Sequence, residues 1–278
     1  MIQGYRMAGP PPHGEPPQPP PERREPGWPA WFGFVGLAVV FMGSLLVQIA
    51  ILLVTGTGAH DQTPAAADLL GSLVLEAMFI GVALWFASRV KRPHPWQFGL
   101  RRTRYWPAVG WAIAGVVTYT VLFSIYVAIA GAPKQSTAQD IGADQSNLAL
   151  ISAGVLFVFL APVAEEFFFR GFLYGSLRTS LGTAPAAVIA GLVFGLVHAT
   201  TGIAAVPPLI ILGIVFCLLY EKTGSIYPCI ALHALNNAFA YAAQTDVATY
   251  VAAAFGATAI AACMLVPRFA WRREPAAT

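Results

Sequence analysis

The chain has 278 residues, 57% of them hydrophobic and only 10% charged, with a mean hydropathy of +0.64. Soluble domains carry about 25% charged residues, so 16 Lys and Arg with 13 Asp and Glu are too few to clothe a water-facing surface, and the composition specifies a polytopic membrane protein. A net charge of +3 and three cysteines, Cys217, Cys229 and Cys263, all in apolar stretches without a C-x-x-C pair, exclude a nucleic-acid partner and a disulfide scaffold.

Residues 1–30 are a separate regime, with runs such as Pro10-Pro11-Pro12 and Pro19-Pro20-Pro21. This segment reads as an extended or disordered cytoplasmic tail and lacks the pattern of a cleavable signal peptide. Apolar stretches able to cross a hydrocarbon core of about 30 Å then recur between short polar breaks. They run from Trp31 to Val54, Leu69 to Ser88, Trp106 to Ala130 and Leu148 to about Leu177. The second half continues with Pro185 to Thr200, Val206 to Tyr220, Ile226 to Ala243 and Val247 to Val266. The expectation is an all-α fold of about eight transmembrane helices over 31–267, in contact with the lipid bilayer, with a short basic tail at 268–278. The fifth and sixth stretches are short for a span, which leaves re-entrant or tilted elements open there.

Basic residues orient membrane helices. With the amino terminus cytoplasmic, Arg6, Arg23, Arg24, Arg89, Lys91, Arg92, Arg101, Arg102, Arg104, Arg178, Lys222, Arg268, Arg272 and Arg273 all fall inside, and Lys134 alone falls opposite. Both termini are therefore expected to be cytoplasmic. Gly191 and Gly195 have the G-x-x-x-G spacing that lets two membrane helices approach closely.

Ionisable groups inside hydrocarbon are costly and are normally paired, cavity-facing or functional. Within the spans they are Glu76, the cluster Glu165, Glu166 and Arg170, then His198, and then His233 with Asn237 one turn on. Glu76 has no partner motif and reads as a protonated or cavity-facing carboxyl. Glu166 and Arg170 stand at i and i+4 with the acid toward the amino end, the favoured order for an ion pair. Glu165 then points about 100° away around the helix, free to act as a base. Pro162, one turn upstream, frees a backbone carbonyl. Phe194 lies one turn below His198. Imidazoles carry protons or bind metals, and a carboxamide can donate to an oxyanion. At about 1.5 Å per residue, Glu165 and His198 each lie about 20 Å from the turn at 182–185, whereas His233 lies only about 10 Å into its helix. The three meet only if that helix starts deeper.

These residues form three blocks, Glu165-Glu166-Phe-Phe-Phe-Arg170, Phe194-Gly-Leu-Val-His198 and His233-Ala-Leu-Asn-Asn237. In order and spacing they resemble the E-E-x-x-x-R, F-x-x-x-H and H-x-x-x-N motifs of the CPBP intramembrane proteases, a family that includes CAAX prenyl endopeptidases and proteins of bacteriocin processing and self-immunity. The resemblance covers about 148–243. It implies a membrane-embedded endopeptidase acting on a membrane-associated peptide or protein. Glu165, Glu166, His198, His233 and Asn237 are then the functional positions, supported by Arg170 and Phe194. Two mechanisms stand open: Zn²⁺ held by His198, His233 and Glu165, or metal-free activation of water by Glu165 and one histidine, with Asn237 and the other histidine at the oxyanion. The competing classes are a transporter or ion relay built on the same buried charges and a non-catalytic immunity or scaffold protein.

Overall fold

The computed structural model describes residues 26–57, 63–133, 138, 143–245, 247 and 249–270, and among these eight long helices and no strand account for the apolar stretches. They are α1 (Trp31–Thr55), α2 (Ala65–Ser88), α3 (Tyr105–Ala130), α4 (Asn147–Leu181), α5 (Thr183–Val197), α6 (Val206–Thr223), α7 (Tyr227–Gln244) and α8 (Thr249–Ala270). Six segments are long and apolar enough to cross a membrane; α5 is shorter, and α7 is interrupted by His233, Asn236 and Asn237. The protein is an all-α integral membrane protein.

Successive helices pair as α1 with α2, α5 with α6 and α7 with α8, while α3 packs on α6. The 35-residue α4 runs through the middle and touches α1, α2, α5, α6, α7 and α8. Ser146 starts it by accepting the Ala149 N–H at 3.1 Å, satisfying one of the donors a helix start leaves open. Its course is not uniformly α-helical: Leu156–Leu160 and Phe167–Tyr174 are π-helical, with the α-helical turn Ala161–Glu166 between them. Such wide turns are rare and concentrate at functional sites. The second of them places Phe167, Phe168, Phe169 and Phe172 in the core, where Phe167 stacks on Phe98, Phe168 and Phe169 lie tilted on Phe79, and Phe169 meets Phe194 edge-on.

One end of the bundle is basic. The Arg101 Nε donates to the Gly224 carbonyl, the Thr103 hydroxyl donates to Thr223 O at 2.9 Å, and Ser225 Oγ donates to Arg101 O at 2.8 Å. Ser225 and Ile226 are consequently fully buried under the 99–101 loop, so α7 does start below the surface and carries His233 deeper than counting from its first residue suggests.

The expected tail boundary at residue 30 moves toward the amino end. Trp28 is buried, stacks on Phe98 at 4.9 Å and donates its indole N–H to Phe172 O at 3.2 Å. Residues 26–30 thus belong to the helical body, whereas the tail expected before them and the basic tail after 270 lie outside the described residues. The three cysteines are free thiols, two of them buried.

The Gly191 and Gly195 pair does bring helices together. A Cβ at Gly195 would stand 2.8 Å from both Ile210 N and Val206 O, and one at Gly213 would stand 2.9 Å from Gly191 Cα. Gly195→Val is therefore expected to push α6 off α5 and lower stability by about 1–3 kcal/mol. A thermal melt in detergent measures the loss.

Candidate active site

Four of the predicted site residues meet where α4, α5 and α7 converge. Glu165 Oε2 lies 3.8 Å from His198 Nε2 and 3.8 Å from His233 Nε2. Glu166 Oε1 accepts from Arg170 Nη1 at 2.8 Å and faces His233 Nδ1 at 2.8 Å. Arg170, 1% exposed, also donates to Gly213 O at 3.3 Å and lies over the Phe194 and Phe216 rings at 4.4 and 5.0 Å. One guanidinium thereby clamps α4 to α5 and α6, and a desolvated cation gains from both ring faces. Phe194 completes the floor, 4.8 Å from the His198 ring and 5.8 Å from the His233 ring.

The partners fix where the histidine protons sit. His198 Nδ1 is 2.7 Å from Phe194 O, an atom that only accepts, so Nδ1 carries the hydrogen. The same holds for His233 Nδ1 against the Glu166 carboxylate, already paired with Arg170. Both rings therefore turn Nε2 toward Glu165, whose Oε2 is buried without a hydrogen-bond partner. His198 sits just past the end of α5 at φ −91°, ψ 6°, a sparsely occupied backbone region in which active-site residues recur. Its side chain is 25% exposed against 4% for His233, so the cluster opens on the His198 side.

Three lone-pair donors of types N, N and O are what zinc takes. Tetrahedral donors about 2.1 Å from an ion stand about 3.4 Å apart, while donors about 2.8 Å from a water stand about 4.6 Å apart; the 3.8 Å separations fall between. Among the described residues no group of three or more His, Cys, Asp or Glu is drawn close enough to hold a metal ion. The donors are right in kind for zinc, and Glu165 stands farther from each histidine than an ion would hold them.

Asn237 is tied to α4. Its Nδ2 donates to Phe157 O at 3.1 Å. In the first π stretch the Ala161 N–H bonds to Leu156 O, so the next carbonyl, that of Phe157, would take the N–H of residue 162, which is proline and has none. Pro162 does free a carbonyl, and Asn237 satisfies it. One amide hydrogen of Asn237 is committed in this way and the other has no recorded partner.

Glu76, which sequence reasoning left outside the site, stands on α2 where that helix packs on the Ala161–Glu166 turn. It interacts electrostatically with Glu165, and its Oε2 is buried without a hydrogen-bond partner. The available signal was its position inside a span.

Residues 147–239 match the model of the family described as type II CAAX prenyl endopeptidase Rce1-like. No curated protein and no solved structure matches the chain.

Proposed function

Since residues 147–239 are a Rce1-like domain of the CAAX-type membrane proteases, we propose that the chain is an intramembrane endopeptidase that cuts a membrane-associated peptide with water activated by Glu165. The observation that carries the reading is the convergence of Glu165 Oε2 with the Nε2 atoms of two histidines, each 3.8 Å away. With both rings neutral, all three atoms accept hydrogen bonds, and a water molecule between them has two hydrogens to give to two of them.

The steps follow from the partners. Water held between Glu165 Oε2 and His198 Nε2, with one hydrogen on each, gives the first to Glu165 as its oxygen bonds to the scissile carbonyl carbon. The tetrahedral intermediate collapses when the C–N bond breaks, and the proton taken from water passes to the departing amine. His233 is suited to carry that proton, because the Glu166 carboxylate at its Nδ1–H compensates the positive charge the ring acquires, as an acid orients and supports the histidine in serine hydrolases. His198 has a neutral carbonyl in that place and is suited to positioning water. The second amide hydrogen of Asn237 is assigned to the oxyanion. The family description extends to the substrate, so the proposed one carries a prenylated carboxy-terminal CAAX sequence. The basic ends of the helices support an orientation with both termini cytoplasmic.

Zinc is a second reading, favoured by the N, N and O donor set; His198, His233 and Glu165 would hold it once drawn closer than their present 3.8 Å, and it would polarise the scissile carbonyl. Elemental analysis of purified wild type, His198→Ala and His233→Ala decides it. About one zinc per chain in the wild type, lost in both variants, establishes the ion, while full cleavage by zinc-free protein in chelator removes it.

The function itself is tested with a quenched farnesylated CAAX peptide and its unfarnesylated twin, incubated with the detergent-purified chain. Endoproteolytic cleavage of the farnesylated peptide is expected. Cleavage of both peptides alike would remove the prenyl requirement, and a folded, monodisperse protein that cuts neither would overturn the reading.

A further inference from the structure

Away from the Glu and His cluster, a cavity of about 1580 Å³ opens between α3 and α8, with α7 as its floor. None of Glu165, Glu166, His198, His233 or Asn237 lines it. Its walls are apolar, with Ala112, Ile113, Val117, Leu232, Leu235 and Ile260 among them. Its rim at the basic end carries Arg101, Arg102, Arg104 and Arg268. Arg101 is committed to the Gly224 carbonyl. Arg102, Arg104 and Arg268 are exposed, and among the described residues none has an acidic partner.

Two further features set the depth of this rim. Trp106, 77% exposed, and Tyr105 begin α3 beside the arginines, and Trp111 holds Lys222 over its ring at 5.0 Å. Exposed Trp and Tyr with basic neighbours mark the headgroup level of a bilayer. The walls below therefore lie at acyl-chain depth, and the arginine rim lies at phosphate depth. A flat helical surface is wetted by bulk lipid. A concave site of this volume, larger than the about 300–1,000 Å³ of common small-molecule pockets, has room for a two-chain molecule whose head is fixed by charge.

We propose that the α3–α7–α8 groove is a binding site for an anionic glycerophospholipid, its acyl chains along the apolar walls and its phosphate on Arg102, Arg104 and Arg268. Guanidinium groups suit this task because their donor fork matches phosphate oxygens, and basic pockets between membrane helices bind anionic headgroups elsewhere. The site is separate from the reacting cluster, so its occupancy does not depend on the proposed chemistry. An occupied groove would fix the spacing of α3 and α8 on either side of α7, the helix that carries His233.

The test is native mass spectrometry of the full detergent-solubilised chain titrated with phosphatidylglycerol, phosphatidylcholine or soluble glycerol phosphate. Phosphatidylglycerol is expected to bind in preference to phosphatidylcholine. At about fivefold per arginine, Arg102→Gln with Arg104→Gln should weaken phosphatidylglycerol roughly thirtyfold and leave phosphatidylcholine unchanged. Ala112→Phe, which fills the wall with the arginines intact, should weaken both lipids. Equal binding of the two lipids, or an arginine variant that binds phosphatidylglycerol like the wild type, would overturn the proposal. Glycerol phosphate that binds as tightly as the lipid would identify a phosphate site without an acyl component and would overturn it as well. An unchanged Ala112→Phe variant would place the lipid on the outer surface of the bundle and not in the groove.

Discussion

Glu165→Gln is expected to abolish cleavage, by on the order of 10³-fold or more, while leaving the fold and its melting temperature unchanged. The side chains are nearly isosteric, and the wild-type Oε2 has no hydrogen-bond partner to lose. What disappears is the capacity to accept a proton, since an amide oxygen is too weak a base. The amide also turns donors toward His198 Nε2 and His233 Nε2. The loss should therefore fall on kcat, with KM for the farnesylated peptide little changed. A variant of native stability that retained full cleavage would remove Glu165 from the mechanism.

The second large effect is on stability. Arg170 and Glu166 are 1% and 0% exposed, so Arg170→Met deletes the cation and leaves a buried carboxylate with only His233 to face it. Breaking a buried pair from one side costs about 3–5 kcal/mol. The thermal midpoint in detergent should drop sharply and the yield from membranes with it. Replacing both members by apolar residues of similar volume behaves differently, because no charge is stranded. Glu166→Leu with Arg170→Met should recover most of the melting temperature. It should not recover cleavage, since His233 Nδ1 then loses the carboxylate that fixes its tautomer. A double-mutant cycle read by both melting and turnover separates the two roles; a double variant as unstable as Arg170→Met would show that the arginine acts by packing on Phe194 and Phe216 alone.

Much of this was legible in the residue order. The apolar stretches give the helices within a few residues, because span length is set by bilayer thickness. The Glu166–Arg170 pair follows from helical spacing alone. The π turns of α4 were not legible: Leu156–Leu160 has no polar residue and Phe167–Tyr174 has one charged residue, Arg170, and a single mark in so short a stretch gives no repeat from which a change of register could be read. The tautomers of His198 and His233 depend on a backbone carbonyl one turn below and on a carboxylate from another helix. The depth of His233 depends on the loop that buries Ser225 and Ile226. Asn237 reads as an oxyanion donor from its residue type, and residue type does not show that one of its amide hydrogens goes to the Phe157 carbonyl of α4.

That hydrogen bond links two positions far apart in the chain. A residue other than proline at 162 would bring an N–H of its own to the Phe157 carbonyl and compete with Asn237 for it. A leucine at 237 would leave the same carbonyl unsatisfied in hydrocarbon, where no water replaces the lost donor. Pro162 and Asn237 therefore work as an interlock, each tolerable because the other is present. Substituting either one disturbs the local course of α4 and, through α7, the angle at which His233 is presented. The two positions have physical reason to change together or not at all.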